Sequence, residues 1–230
     1  ALPYELWEEG VRRYGFHGLS YEAVWAKLVA REPEMAVTGR AVVAHLGSGA
    51  SMCAVLGGRS VGSTMGFSTL DGLPMGTRSG SVDPGVLLWM MQEKGWDAAK
   101  ITEVLYKQSG LKGLSGVSAD MRDLEASDDP RAKRAIDFFV FRVKREICAM
   151  TSVLGGLDAV VFTGGIGEHS ALVRARAVKG LDFLGIELDP AANAEHAAII
   201  TTPTSKVTVH VIPTDEEGVI AGHTIRLIEE

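Results

Sequence analysis

Apolar residues recur along this chain with two alternating periods, and the switches between them lay out an α/β protein. Tyr21, Val24, Trp25 and Leu28 fall on one helical stripe, with Ser20 placed to cap it and Pro33 to end it. From Arg40 to Thr64 the pattern becomes strand-like: a strand, the Gly47-Ser48-Gly49 turn, a second strand, a Gly57-Gly58 hairpin and a third strand. Gly66–Pro84 follows without periodicity, and a loop that long is more often functional than decorative. Asp83-Pro84 and Asp97 each open a helix, to about Lys94 and Gln108. Ser109–Ser118 reads as a second glycine-rich loop, with a short helix over Asp120–Leu124. The longest helix starts at Asp129-Pro130 and carries Ile136, Phe139, Val140, Val143 and Ile147 on one side to about Leu154. Val160–Phe162 is a buried-type strand that runs through a glycine turn into a helix from about Glu168. Ala191–Ala198 reads as a helix, Lys206–Ile212 as a strand, and Thr214 as the cap of a final helix over Glu216–Ile228. Hairpins early and strand–helix alternation later predict a mixed α/β sheet flanked by helices.

Composition narrows the partners. The 230 residues allow one large domain or two small ones with a real core. A net charge of −6 without a basic cluster argues against nucleic acid and membrane surfaces, and no apolar run reaches transmembrane length. Cys53 and Cys148 sit far apart in apolar contexts, which suits reduced thiols and a cytoplasmic setting. The start at Ala1, directly in polar helix-like sequence, suggests a piece of a longer protein.

The strongest chemical signal is Asp158–Lys179, where strand, glycines and helix succeed one another. Gly164, Gly165 and Gly167 bring backbone close to a ligand, and helix N–H groups beyond them suit a phosphate. Plain chain geometry explains the same glycines, and Gly165-x-Gly167-x-x-Ser170 with Glu187 downstream also approaches a dinucleotide fingerprint lacking its third glycine. A Walker loop is excluded, because no Gly-Lys pair occurs. Arg78 lies between small residues, where its fork could grip phosphoryl oxygens or simply be solvated. His17 and His45 both adjoin glycines, and Gly47-Ser48-Gly49 is either an anion nest or an ordinary tight turn. Asp120 and Arg122 suit a ribose and a base, though a helix cap explains Asp120 equally. Asp215, Glu216 and Glu217 open the last helix, where they either offset its dipole or reach magnesium; zinc spacing is absent.

Six blocks together, RRYGFHGLS (12–20), HLGSGAS (45–51), STMGFSTLDGLPMGTRSGSVDP (63–84), VSADMRDL (117–124), VFTGGIGE (161–168) and IPTDEE (212–217), resemble the acetate, propionate and butyrate kinase family in order and spacing. The resemblance implies the actin-like, sugar-kinase superfamily and its ribonuclease-H-like domains. It also implies reversible in-line transfer of the ATP γ-phosphoryl group to a short-chain carboxylate, giving ADP and an acyl phosphate with Mg2+. On that match Arg78 is the transition-state arginine and His17 contacts the transferred phosphoryl. His45 with Gly47, Ser48 and Gly49 forms the phosphate loop, and Gly164, Gly165, Ile166 and Gly167 form the nucleotide loop. Asp120, Met121 and Arg122 lie at the adenosine, and Glu216 is the carboxylate linked to magnesium. A homodimer in the cytoplasm is implied too.

Three positions depart from the family pattern. Ser48 and Asp215 each replace a common asparagine, and Met121 replaces a common aromatic. The resemblance covers only the family's C-terminal, nucleotide-binding and dimerising domain across residues 1–230, without the N-terminal domain. The expectation is therefore weak nucleotide binding with little turnover by this chain alone. A non-catalytic nucleotide-binding or dimerisation module is the alternative, and a dinucleotide oxidoreductase a third.

Overall fold

A computed structural model describes residues 1–229. In chain order the elements are α1 (Tyr4–Glu8), α2 (Gly18–Arg31), α3 (Met35–Thr38), β1 (Arg40–Leu46), β2 (Ala50–Leu56), β3 (Arg59–Ser63), α4 (Pro84–Gln92), α5 (Ala98–Lys107) and α6 (Gly110–Ser115). They continue with α7 (Met121–Glu125), α8 (Pro130–Leu154), β4 (Ala159–Thr163), α9 (Gly164–His169), α10 (Ala171–Val178), α11 (Pro190–Ala194), β5 (Thr208–Val211) and α12 (Glu216–Glu229). The described chain divides into two compact units, one formed by residues 1–16 and 64–139 and the other by residues 17–63 and 140–229.

The second unit is built on a five-stranded sheet of order β3-β2-β1-β4-β5. β1, β2 and β3 pair antiparallel as a meander, whereas β4 joins β1 and β5 joins β4 in parallel. Gly57 and Gly58 both take positive φ, 52° and 81°, which is the left-handed turn that matches strand twist in a two-residue hairpin. Parallel strands bury both faces, and the sequence obliges: Val42, Ala44, Val160 and Phe162 on one face and Ala41, Val43, Ala159 and Val161 on the other are all inaccessible. The second face packs against Tyr21, Val24 and Leu28, the stripe that the helical spacing marks out in α2. Arg40 fixes the register at the strand starts, its backbone N donating to Asp158 Oδ2 at 2.8 Å and its Nη2 to Oδ1 at 2.6 Å.

The first unit has no strand among its described residues. The aperiodic stretch 66–83 contains no helix either, yet Leu73 and Met75 are fully buried. Its backbone is held by α6, as Ser109 N donates to Thr77 O (3.0 Å), Leu111 N to Met75 O (2.8 Å) and Lys112 N to Gly76 O (2.9 Å). Gly110 makes this possible. Its φ is +63°, and a Cβ there would lie 2.1 Å from Met75 O.

Several expectations change. Ser20 lies inside the first turn of α2 rather than capping it; the N-cap is His17, left-handed at φ 62° with no side-chain cap bond. Ser109–Ser118, read as a loop, contains α6, because its amides find carbonyl partners in the 75–78 stretch. The glycine turn after β4 is itself helical as α9, and Ser170 rather than Glu168 opens the amphipathic helix, accepting from Val173 N at 3.0 Å. The segment 191–198 is helical only as far as Ala194, and Asp215 rather than Thr214 caps α12, accepting from Gly218 N at 3.0 Å. Asp83, Asp97 and Asp120 cap their helices as the sequence indicates.

Candidate functional site

Three parallel strands of the second unit end at the same edge of the sheet, and that topology assembles the site. β1 runs out into His45–Gly49, β4 into Gly164–Glu168, and β5 into the turn that leads to Glu216. Ligands of open α/β sheets sit outside the carboxyl ends of such strands, where loops diverge and amides are unspent.

The two glycine turns lie against each other. A Cβ built on Gly47 would be 3.8 Å from His45 Nε2 and 3.9 Å from Gly165 N, so one point is flanked by an imidazole and a backbone amide. Gly164 needs its φ of +75°, and a Cβ there would stand 2.8 Å from Leu46 O. Ser48 and Gly165 are exposed at the rim, and a side chain on Gly165 would meet nothing within 4 Å. Glu168 ties the edge together, its Oε1 accepting from Gly164 N at 2.9 Å and from Thr214 N at 3.3 Å. One carboxylate thus joins the turn after β4 to the turn after β5.

His17 and His45 stack with ring centroids 4.2 Å apart and an angle of 19° between planes. Each ring is held through its Nδ1. His17 meets Ser51 Oγ at 2.8 Å, and Ser51 also bonds the buried Tyr21 hydroxyl. His45 meets Ser20 Oγ at 2.8 Å, and Ser20 accepts from Thr214 Oγ1 at 2.9 Å. Burial lowers the pKa of His45, which keeps this ring neutral beside its neighbour, and burial raises that of Tyr21, which keeps its proton.

Behind the edge, Arg174 is completely buried and spends its guanidinium on the chain. Nη1 donates to Gly167 O (2.9 Å) and Glu168 O (2.8 Å), Nε to Asn193 Oδ1 (2.9 Å) and Nη2 to Asn193 O (2.9 Å). It closes the last carbonyls of α9 and ties that short helix to α11. Burial lowers its pKa without discharging a guanidinium that starts so high.

Glu216 is half-buried at the first position of α12, beside the exposed Asp215 and Glu217. No group of three or more His, Cys, Asp or Glu that could hold a metal exists among the described residues. A magnesium ion that keeps several waters and takes phosphate oxygens needs only one or two carboxylates, so this donor set fits a nucleotide-borne ion and not an all-protein cage.

The other sequence candidates belong to the first unit. Arg78 is half-buried and its Nη1 donates to Thr69 O at 2.8 Å, with Met75 N bonding Arg78 O at 3.0 Å. Asp120 and Arg122 pair with each other at 2.5 Å, and Asp120 also caps α7. Arg122 is exposed and Asp120 half-buried, and Arg122 holds the Asp120 carboxyl down at about 2. No hydrogen bond or ion pair links Arg78 to either of them among the described residues. Met121 is 3% exposed, so its side chain packs inside rather than lying open at the surface. Glu187, the acidic residue a dinucleotide fold would aim at ribose, accepts instead from Thr202 and Thr204 hydroxyls at 3.1 and 2.7 Å.

Ser20, Ser51, Glu168, Arg174 and Thr214 were not singled out as site residues by the sequence. Glu168 directly after the glycines was the one local signal; the others act through contacts distant along the chain.

The family model described as the acetokinase family matches residues 1–222. The chain belongs to that family. Acetate kinases of Methylocella silvestris and Nitrobacter hamburgensis are 56% and 58% identical over 100% and 99% of this chain, covering 57% and 56% of their own length. The crystal structure of Porphyromonas gingivalis acetate kinase superposes with a TM-score of 0.96 at 40% identity, over 99% of this chain and 59% of that one. A propionate kinase from Francisella tularensis gives 0.90 at 39% identity, over 96% and 58%. This acetokinase-family chain therefore spans somewhat over half the length of these relatives. Its fold is the mixed-sheet α/β fold of the actin-like and sugar-kinase class that the motifs imply.

Proposed function

We propose that the chain is the nucleotide-binding portion of an acetate kinase-type phosphotransferase, which moves the γ-phosphoryl group of ATP reversibly onto acetate or a similar short-chain carboxylate. The observation that carries this reading is the meeting of Gly47, His45 Nε2 and Gly165 N at the carboxyl edge of three parallel strands.

Amides of the two glycine turns bind phosphate oxygens without a charged side chain, and the edge is pre-shaped, so little is lost in ordering it. His45 donates to the phosphate tail and His17, stacked on it, to the transferred group. Glu216 would hold a magnesium ion through water, and that ion would neutralise phosphate charge. Arg78 supplies positive charge to the equatorial oxygens as the phosphoryl passes in line from one oxygen to the other. Asp120 and Arg122 offer a carboxylate to ribose hydroxyls and a guanidinium plane to the base. The acyl substrate is acetate or propionate, the two named among the relatives, and the working enzyme is a cytoplasmic homodimer.

Titration calorimetry of the chain with ADP tests the nucleotide site. Saturable binding that ATP displaces and NAD does not is expected, and absence of binding up to millimolar ADP would refute it. A hybrid with the rest of an acetate kinase tests the chemistry: acyl phosphate formation supports the enzyme. Binding without turnover supports the alternative of a non-catalytic module, for which the exposed Ser48 and the use of Asp215 as a helix cap are the motivating features.

A further inference from the structure

We infer that Ser20 and Thr214 are positioning residues, which through a hydroxyl relay lock His45 in the tautomer that carries its hydrogen on Nε2, facing the glycine turns. The inference rests on the reading of that edge as a nucleotide phosphate site, and adds to it how a neutral imidazole is made a fixed donor there.

The Thr214 hydroxyl donates to Ser20 Oγ at 2.9 Å, so the relay has a direction. Ser20 then has one hydrogen to place, and its other partner is His45 Nδ1 at 2.8 Å. With Nδ1 accepting, the ring hydrogen sits on Nε2, the nitrogen that lies against Gly47. The opposite tautomer would put a hydrogen on Nδ1 and direct it at Ser20. The Ser20 hydrogen would then have no acceptor, at a side chain with no solvent access. An unsatisfied buried donor is costly, and it favours the Nε2–H tautomer by about fivefold to about a hundredfold.

Three parts of the fold are needed for this. Ser20 comes from the first turn of α2, His45 from the end of β1, and Thr214 from the turn after β5, whose backbone N is in turn held by Glu168. Ser20 is therefore spent on the imidazole, which accounts for its not capping α2. His45 is partly protected from charging by burial, so the neutral donor persists at neutral pH. A donor that needs no proton from solvent suits a site whose ligand arrives with its own negative charge.

The test uses the chain itself, labelled with 15N in histidine, with the His45 ring assigned by its loss in His45→Gln. Long-range 1H–15N spectra report which nitrogen is protonated. The wild type is expected to show Nε2–H, and Ser20→Ala and Thr214→Val to shift the ring toward a tautomer mixture, with Thr214→Ser restoring it. ADP binding measured on the same samples should weaken about tenfold in Ser20→Ala and in Thr214→Val, the equivalent of one lost neutral hydrogen bond, and stay at the wild-type level in Thr214→Ser. An Nδ1–H ring in the wild type, or a tautomer indifferent to both Ser20→Ala and Thr214→Val, overturns the relay. Failure of the wild type to bind ADP while His45 remains Nε2–H overturns the nucleotide reading and leaves the relay standing. Thr214→Val, at a half-buried position, keeps the test decisive should Ser20→Ala not fold.

Discussion

Single side chains in this structure fall into those proposed to meet the ligand and those that hold the backbone in place. Arg78 belongs to the first kind on the family match. Loss of one well-aimed transition-state donor costs about 3 kcal/mol, so Arg78→Ala should lower turnover of the hybrid enzyme about a hundredfold or more. Acyl phosphate assays check this, and an unchanged rate would remove Arg78 from the chemistry. Arg174 belongs to the second kind. Truncation to methionine strands the Gly167 and Glu168 carbonyls that it now satisfies, which should destabilise the fold by about 3 kcal/mol or more and weaken ADP binding together. Urea titration of Arg174→Met reads the first effect; a midpoint shift of only a few tenths molar would show the buried arginine to be dispensable. These two arginines look alike in the sequence, each near glycines or small residues, and only burial separates their work.

At the level of elements, the approach of backbones stabilises the loop that carries Arg78. α6 presents its first amides to the 75–78 stretch, and Gly110 is the position where any side chain would collide with Met75 O. Gly110→Ala combines that collision with a left-handed φ, and should cost about 1–3 kcal/mol while displacing the loop that carries Arg78. Thermal unfolding gives the cost, and retention of both stability and hybrid turnover would contradict it. Most elements were legible from hydrophobic period and caps, because those signals are local. Asp83, Asp97 and Asp120 sit one residue before their helices and satisfy amides two or three residues on. What was not legible, the helical character of 110–115 and of 164–169, depends on partners elsewhere. Glycine-rich stretches have low intrinsic helix propensity, and here tertiary hydrogen bonds override it.

For the chain as a whole, acid sensitivity follows from one buried histidine. His210 on β5 has no solvent access, and burial, with Arg31 adding to it, lowers its pKa to about 4 from 6.5. Its Nε2 lies 3.0 Å from Glu32 Oε1 without hydrogen-bond alignment, and burial with the nearby Glu34 raises the Glu32 pKa. A histidine whose folded pKa is depressed contributes stability that is present above 6.5 and is lost as pH falls toward about 4, since only the unfolded chain takes up the proton across that window. The loss should approach about 1.4 kcal/mol per pH unit, reduced by Glu32, which gains a proton more readily when folded. Urea midpoints at pH 7 and pH 5 should differ, and His210→Gln should flatten the difference; an equal slope in the variant would assign the acid sensitivity elsewhere. By itself the amino-acid order determined the α/β class, the caps at Asp83, Asp97 and Asp120, the glycine turns and the family, since each rests on neighbouring residues or on motifs in a fixed succession. Only the folded chain decided that His45, Gly47, Gly165, Glu168 and Thr214 converge, because parallel pairing of β1, β4 and β5 is what brings three strand ends, far apart in sequence, to one edge.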